Sequence, residues 1–254
     1  MINKTIFVSG SSKGIGKGIN DYFANLGWNH FITARNINSD VLKSHNTNTL
    51  DIKAVDFGDV KQVKNYSDEL LQKNIKIDIL VINAGTGQGE KGLNSSFKNN
   101  LASFKKNFIP TFNTLSFIGG KMMNKNSLIV LIGSIASMTN VNAPLIYSEV
   151  KYSFSALAKS FALSNLENER NIKVAVIHLG HMNSPGGIWD LNSVNSDQVK
   201  IETNLRKIPD KQFGSAIDVA ELILRMYDTK YFRYLEIAQD GGLSVFEKYA
   251  FAEK

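Results

Sequence analysis

A tyrosine and a lysine lie four residues apart in Tyr147-Ser-Glu-Val-Lys151, and no other of the eight tyrosines has a lysine at that spacing. On a helix, positions i and i+4 share a face. An ammonium beside a phenol favours the phenolate and lowers a pKa that starts at about 10. Such a tyrosine passes a proton near neutral pH. An exposed tyrosine beside a surface lysine gives the same spacing, so the pair needs company. Ser134, in LIVLIGSIAS, follows an apolar run thirteen residues upstream. A hydroxyl there hydrogen-bonds a carbonyl oxygen as charge develops on it. As a nucleophile it lacks a G-x-S-x-G elbow and a neighbouring His base. Asn107, in FKKNFIP, falls in a helix-periodic stretch where Asn is a poor helix former. Its amide is expected to interrupt the ladder and hold a water, unless the position is simply exposed and polar.

A second constellation binds rather than reacts. Gly10, Gly14 and Gly16 punctuate SGSSKGIG, directly after the apolar run Thr5-Ile6-Phe7-Val8. A glycine turn between a strand and a helix aims backbone N–H groups and the helix dipole at a pyrophosphate. The spacing is G-x-x-x-G-x-G, which a tight turn without a ligand also satisfies; the place after a first strand favours the cradle. Asp56, in KAVDFGDV, is read as ending the third strand, as an acceptor for an adenine amino group or as a turn former. Asn83-Ala84-Gly85 closes the fourth strand, where small residues let a ring or ribose approach the backbone. These features fall at carboxyl ends of strands, where open α/β sheets bind ligands.

The elements that must position them alternate along the chain. Strands are predicted at Thr5–Val8, Phe31–Ala34, Lys53–Asp56, Ile79–Ile82, Leu128–Ile132, Lys173–His178 and Tyr234–Ala238. They show little polar alternation, as in a parallel sheet buried on both faces. Helices are predicted at Ile15–Leu26, Val60–Lys73, Phe97–Met123, Tyr147–Glu169 and Ala216–Tyr227. The order predicts one α/β domain over 1–254: a doubly wound, mainly seven-stranded parallel sheet of Rossmann type with helices on both faces. Ser184–Phe213, with Pro185, Gly186 and Gly187, is the expected substrate lid.

Composition narrows the classes. The 254 residues are 43% hydrophobic, enough for a sizeable core. There is no cysteine, which excludes disulfides and thiolate metal sites. The net charge of +6 is scattered, with no block that would mark a nucleic-acid tail. No apolar stretch reaches the roughly 20 residues that span a bilayer. A cytoplasmic protein without nucleic-acid or membrane partners is expected. Absent paired ligands at metal spacing, no metal is expected. His178 is read as a structural group.

With these residues in hand, the chain resembles the short-chain dehydrogenase/reductase family, in its single-domain branch of about 250 residues. SGSSKGIG resembles that family's TGxxxGIG, with Ser9 in the Thr place. VINAG resembles its NNAG, with Ile82 for the first Asn, and AQDGGL resembles its VDGG. Asn107, Ser134, Tyr147 and Lys151 fall at the spacings of its catalytic tetrad. The resemblance implies that Tyr147 exchanges the proton with a carbonyl or alcohol oxygen. Lys151 would hold the nicotinamide ribose and lower the Tyr147 pKa. Ser134 would position the oxygen, and Asn107 would support a water relay.

Cofactor contacts are implied for Gly10, Ser12, Lys13, Gly14, Ile15, Gly16, Arg35, Asn36, Asp56, Phe57, Asn83, Ala84, Gly85, Gly180, Met182 and Ser184, beside Tyr147 and Lys151. Ala34 stands where NAD-binding members carry an acid, and Arg35 follows; with Lys13 this favours NADP(H). Leu179-Gly180 replaces the usual Pro-Gly. Substrate contacts are expected from Ser134, Ile135, Tyr147, His181 and Trp189, with Ala136, Pro144, Met182, Ile188 and Phe213 as further walls. The closest general pattern is that of 3-oxoacyl-carrier-protein reductases, with Lys125 and Arg170 placed for an acidic carrier. A small-molecule or acyl-thioester carbonyl is the implied substrate, with sugar-derived ketones open. A homotetramer or homodimer through the fourth and fifth helices is implied.

Overall fold

Alternate residues of the first apolar run enter two different cores. Ile6 and Val8 pack with Ile19, Phe23, Val219 and Ile223, whereas Phe7 packs with Val63, Tyr66 and Leu80. Both faces of the run are therefore covered, which a strand in the middle of a parallel sheet requires. The computed structural model describes residues 4–43, 45–87, 95–139, 141, 143–185, 190–191 and 198–245.

The strands are β1 (Thr5–Ser9), β2 (Asn29–Ala34), β3 (Thr49–Ala54), β4 (Ile77–Ile82), β5 (Met123–Ser134), β6 (Lys173–Leu179), β7 (Met182–Asn183), β8 (Gly214–Ser215) and β9 (Tyr234–Gln239). The helices are α1 (Gly14–Asn25), α2 (Ser39–Lys43), α3 (Val60–Gln72), α4 (Phe97–Thr114), α5 (Leu145–Glu167), α6 (Gln198–Lys207) and α7 (Ala216–Asp228). Seven strands form one parallel sheet in the order β3-β2-β1-β4-β5-β6-β9. α1 and α7 cover one face, and α3, α4 and α5 the other. This is the Rossmann-type architecture expected from the sequence. The chain leaves β1 in one direction and reaches β4 in the other, so the switch point lies at their carboxyl ends. Ligands of such sheets bind there.

Some boundaries differ from the sequence reading in ways that matter to the site. The helix expected over Phe97–Met123 stops earlier: α4 ends at Thr114, a π-helical turn spans Leu115–Gly119, and β5 begins at Met123. Ile77 N–H captures the Met122 carbonyl at 2.9 Å, drawing the chain into the sheet. Gly120 allows the exit, since a Cβ there would lie 2.9 Å from the Ser116 carbonyl oxygen. β3 ends at Ala54, so Asp56 is a loop residue and not a strand terminus. The short β7 and β8, paired as Met182↔Gly214 and Asn183↔Ser215, tie together the two ends of the expected lid.

Lys173 is a buried cation with a structural task. Its Nζ donates to the carbonyls of Met226 (3.0 Å) and Thr229 (2.8 Å), satisfying orphan acceptors at the end of α7.

Candidate active site

α5 carries Tyr147 in its first turn and Lys151 one turn later. Lys151 is 5% exposed, and its Nζ donates to the Ile132 carbonyl at 2.7 Å. The ammonium lies 4.6 Å from the Phe154 ring centroid and 5.7 Å from that of Tyr147. Burial pulls its pKa down to about 7. The Tyr147 phenol moves the other way. Burial pushes it above the ordinary tyrosine value, and a hydrogen bond from Ser134 draws it part of the way back. The net direction is opposite to the lowering expected for the phenol, because burial outweighs the serine hydrogen bond, while the lysine is tied to a carbonyl.

Ser134 ends β5 and begins the 3-10 turn Ile135–Ser137. Its Oγ accepts from Ala136 N–H at 3.2 Å, which leaves the hydroxyl proton for Tyr147. Asn107 is fully buried inside an unbroken α4. Its Nδ2 donates to the Ser103 carbonyl (2.9 Å) and its Oδ1 accepts from Thr86 N–H (2.8 Å). The amide therefore does not interrupt the ladder as expected. The residue that removes a ladder donor is Pro110. A Cβ on Gly85 would lie 2.9 Å from Asn107 Oδ1 and 4.0 Å from Lys151 Nζ. Asn107 thus fixes the turn after β4 beside the lysine.

The glycine loop has the backbone its sequence requires. Gly10 and Gly14 hold φ of 73° and 60°. A Cβ on Gly16 would fall 2.3 Å from the Gly10 carbonyl oxygen and 2.4 Å from Asn83 Nδ2. That amide donates to the carbonyls of Ser9 (3.3 Å) and Gly10 (3.2 Å). Ser9 Oγ in turn accepts from the N–H groups of Asn83 (3.0 Å) and Ala84 (3.2 Å). Gly16→Ala is accordingly expected to destabilise the protein by about 1–3 kcal/mol, an overpacking cost. Urea unfolding checks this, and an unchanged midpoint would contradict it.

Helix capping differs between the helices that start at this region and three that start elsewhere. Asp59, Ser96 and Ser215 cap α3, α4 and α7 with side-chain acceptors. α1 and α5, the two helices that start at the site, have none; their N-cap residues are Lys13 and Pro144. A helix start without a side-chain acceptor keeps its N–H groups for another partner. At α1 the Gly14 N–H donates to the Pro185 carbonyl at 3.2 Å, and Ser184 is buried against Gly14.

On the β2 side, Ser11 and Thr33 form a clasp. Ser11 N–H donates to the Thr33 carbonyl (3.1 Å), and Thr33 N–H donates to Ser11 Oγ (2.9 Å). Lys13 and Arg35 each follow this clasp by two residues, and both are exposed, as is Asn36. Ser12 and Ile15 are partly buried, the latter against the α1–α7 core.

Other expected contacts fall differently. Asp56 Oδ1 accepts from Gly58 N–H at 2.8 Å, so its carboxylate closes a turn. The Phe57 ring is buried against Phe7, and its carbonyl accepts from Asn113. Ile135 packs with Ile208 and Leu243 instead of lining an open wall. His181 Nε2 lies 3.2 Å from Asn204 Oδ1 and its ring 5.9 Å from that of Phe213, joining the chain before β7 to α6 and the segment after it. Gly180 N–H donates to Gln239, and Met182 is buried in β7. Ile188 and Trp189 lie outside the described residues. Lys125 stands near the start of β5, nine residues or roughly 30 Å of strand from Ser134. Arg170 Nη1 is engaged with the Gly120 carbonyl at 2.7 Å. Neither cation stands at the catalytic end of the sheet.

Sequence reasoning missed Ser137, whose Oγ donates to the Ser134 carbonyl at 2.6 Å, and Thr86. Only the S-x-x-S spacing hinted at the former. Among the described residues no group of three or more His, Asp or Glu could hold a metal. Among those residues no helix is long and apolar enough to cross a membrane.

The sheet order, the glycine loop at the switch point and the Ser134–Tyr147–Lys151 cluster define a dinucleotide-dependent oxidoreductase class. The chain belongs to the short chain dehydrogenase family, whose model matches residues 4–188. It is similar to the 3-oxoacyl-[acyl-carrier-protein] reductase of Chlamydia pneumoniae, 28% identical over 96% of this chain and 98% of that one. In fold it is similar to Pseudomonas aeruginosa RhlG, solved as an NADP active-site complex. The TM-score is 0.81, with 22% identity over 95% of this chain and 96% of the other. Thermoplasma acidophilum aldohexose dehydrogenase superposes with a TM-score of 0.79, at 22% identity over 96% and 94% of the two chains.

Proposed function

We propose that this chain is an NADP(H)-dependent reductase of a carbonyl group, of 3-oxoacyl-thioester type. The observation that carries this is Ser134 at the end of β5 and Tyr147 with buried Lys151 on α5, at the same sheet end as the start of α1, which has no side-chain cap. The residues present fit a dinucleotide. Gly10, Gly14 and Gly16 place no side chain in the cradle, α1 offers N–H groups, and Lys13 and Arg35 flank the end of β2. Gly14, Ile15 and Gly16 would hold the pyrophosphate, Asn83-Ala84-Gly85 the adjoining ribose, and Lys13 with Arg35 a 2′-phosphate. When bound, the nicotinamide supplies the hydride.

The chain's own residues handle the proton. Ser134 donates a hydrogen bond to the substrate oxygen as negative charge grows there. Tyr147, kept protonated by burial, gives its proton to that oxygen. Lys151, poised near neutrality, stabilises the phenolate left behind and re-supplies its proton. Asn107 holds Gly85 and Thr86 against Lys151. The Ser184–Phe213 segment serves as the lid of a single unit over 1–254. The buried cluster of Ile135, Ile208 and Leu243, with Phe213 packed on it, gives that lid an apolar root, in keeping with an acyl substrate. The fold shared with an aldohexose dehydrogenase keeps a sugar-derived carbonyl as the second reading. The absence of cysteine fits a reducing cytoplasm.

The test is NADPH consumption by purified protein against 3-oxoacyl thioesters, free ketones and sugars, beside Tyr147→Phe. Turnover of one class by wild type alone is expected. Equal inertness of both proteins while NADPH binds would overturn the reading.

We also propose self-association through α4 and α5. On α4 the rings of Phe104, Phe108 and Phe112 stack at 5.0 and 6.1 Å, and Phe97 is 81% exposed. Tyr152, Leu163 and Leu166 are exposed on α5. Exposed apolar side chains on two helices that pack side by side suit a helix-to-helix contact between copies. Phe104→Glu with Phe112→Glu is expected to yield monomers in sedimentation. A wild-type protein that is itself monomeric would contradict this.

A further inference from the structure

Ser134 is held through its carbonyl by a polar chain that the reaction does not itself need. Ser137 Oγ donates to that carbonyl at 2.6 Å. His178 Nδ1 lies 2.9 Å from Ser137 Oγ and 3.3 Å from the same carbonyl. His178 Nε2 lies 2.8 Å from Glu236 Oε1. The imidazole is 1% exposed, and β5 makes room for it at Gly133, where a Cβ would fall 2.7 Å from Nδ1. Glu236 is itself anchored by the hydroxyls of Ser155 and Tyr234, each at 2.6 Å, with Lys159 at 4.0 Å. Although burial alone would raise it, these donors and His178 hold its carboxyl down at about 2.

A carboxylate accepts only, so the hydrogen between it and Nε2 must belong to the imidazole. Glu236 thereby fixes the tautomer and leaves Nδ1 an acceptor, so the single Ser137 hydroxyl proton is shared between the Ser134 carbonyl and Nδ1. Beside this chain, Ile177 and Leu179 of β6 and Ile237 of β9 pack into the core. An apolar residue at 178 would fill the space without desolvating a polar ring.

We propose that His178 is a positioning residue: with Glu236 fixing its tautomer and Ser137 as intermediary, it sets the direction of the Ser134 hydroxyl. This rests on the reductase reading above. Ser134 gains its aim from the 134–137 turn, and that turn is pinned at one end to β6 and β9 through the imidazole.

The experiment uses the full chain with His178→Ala, Ser137→Ala and Glu236→Gln. Turnover in His178→Ala and Ser137→Ala is expected to fall about 10- to 100-fold, as for a misaligned catalytic group. NADPH affinity and KM should stay within about twofold, since no cofactor contact is touched. Glu236→Gln keeps an acceptor for Nε2–H and should retain most activity. A weakened Ser134 hydrogen bond should also move the Tyr147 titration to higher pH. Phenolate absorbance, referenced to Tyr147→Phe, measures that shift without any substrate. Wild-type turnover with an unmoved titration in both alanine variants would overturn the proposal. So would losses of activity, NADPH affinity and melting temperature in the same proportion. If wild type turns over no carbonyl, the reductase reading fails, and the phenolate titration alone decides this one.

Discussion

Tyr147→Phe is expected to lower turnover by about 10²- to 10⁴-fold, the range of a lost general acid. NADPH affinity should hardly change. The substitution removes one oxygen and keeps the ring, so the start of α5 and the packing around it persist. What disappears is the proton that the substrate oxygen must receive. Ser134 would remain as a hydrogen-bond donor to that oxygen, so a residual rate above background should survive. The pH dependence follows from the two directions of shift. Tyr147 is raised by burial and stays protonated through neutrality. Lys151 is lowered to about 7, so it is an ammonium below that pH and neutral above it. Reduction by wild type should therefore decline as pH rises through about 7, where Lys151 loses the charge that stabilises the phenolate. Lys151→Met should lack that limb and show most of the loss at every pH. Steady-state rates from acid to alkaline pH check both. A decline toward acid pH would reverse the assignment of donor.

Much of this was legible because it depends on short spacings. The Tyr147–Lys151 interval puts both side chains on one helical turn, and a helix did form there. The glycines at 10, 14 and 16 demanded positive φ or close approach, and all three positions show one or the other. Ser9, read as standing for a threonine, keeps its hydroxyl on the Asn83–Ala84 amides. What escaped depends on partners distant in sequence. Ser137 meets His178 and Glu236 only after β5, β6 and β9 align, 41 and 58 residues apart in successive steps. Nothing local in SIAS or in YLEIAQ announces that meeting. The direction of the tyrosine shift escaped for a related reason. Spacing says that an ammonium is near, but burial decides its strength, and Lys151 is committed to the Ile132 carbonyl. The helix end near Gly119 was lost because apolar periodicity continues into Met122 and Met123, which the sheet claims.

Replacing Lys13 and Arg35 together by Ala is expected to weaken NADPH binding by about 10²-fold and leave NADH binding nearly unchanged. Each is assigned one charge-assisted contact to a 2′-phosphate, worth about 1.5–3 kcal/mol. Both side chains are exposed, so solvent screening reduces their combined effect to the low end, about 3 kcal/mol. That corresponds to about two decades in Kd. The Ser11–Thr33 clasp makes the pair a unit: it holds the loop after β1 to the end of β2, with one cation two residues beyond each side. Neither cation is buried in the fold: Lys13 makes no side-chain cap for α1, and Arg35 is exposed. Stability should therefore stay within about 0.5 kcal/mol. Arg35→Ala alone should cost more than Lys13→Ala, because a guanidinium grips a phosphate through two parallel N–H bonds and an ammonium does not. The preference for NADPH should also shrink with added salt, more in wild type than in the double variant. Equal losses for the two dinucleotides would place the contact on the shared pyrophosphate, and the selectivity reading would be lost.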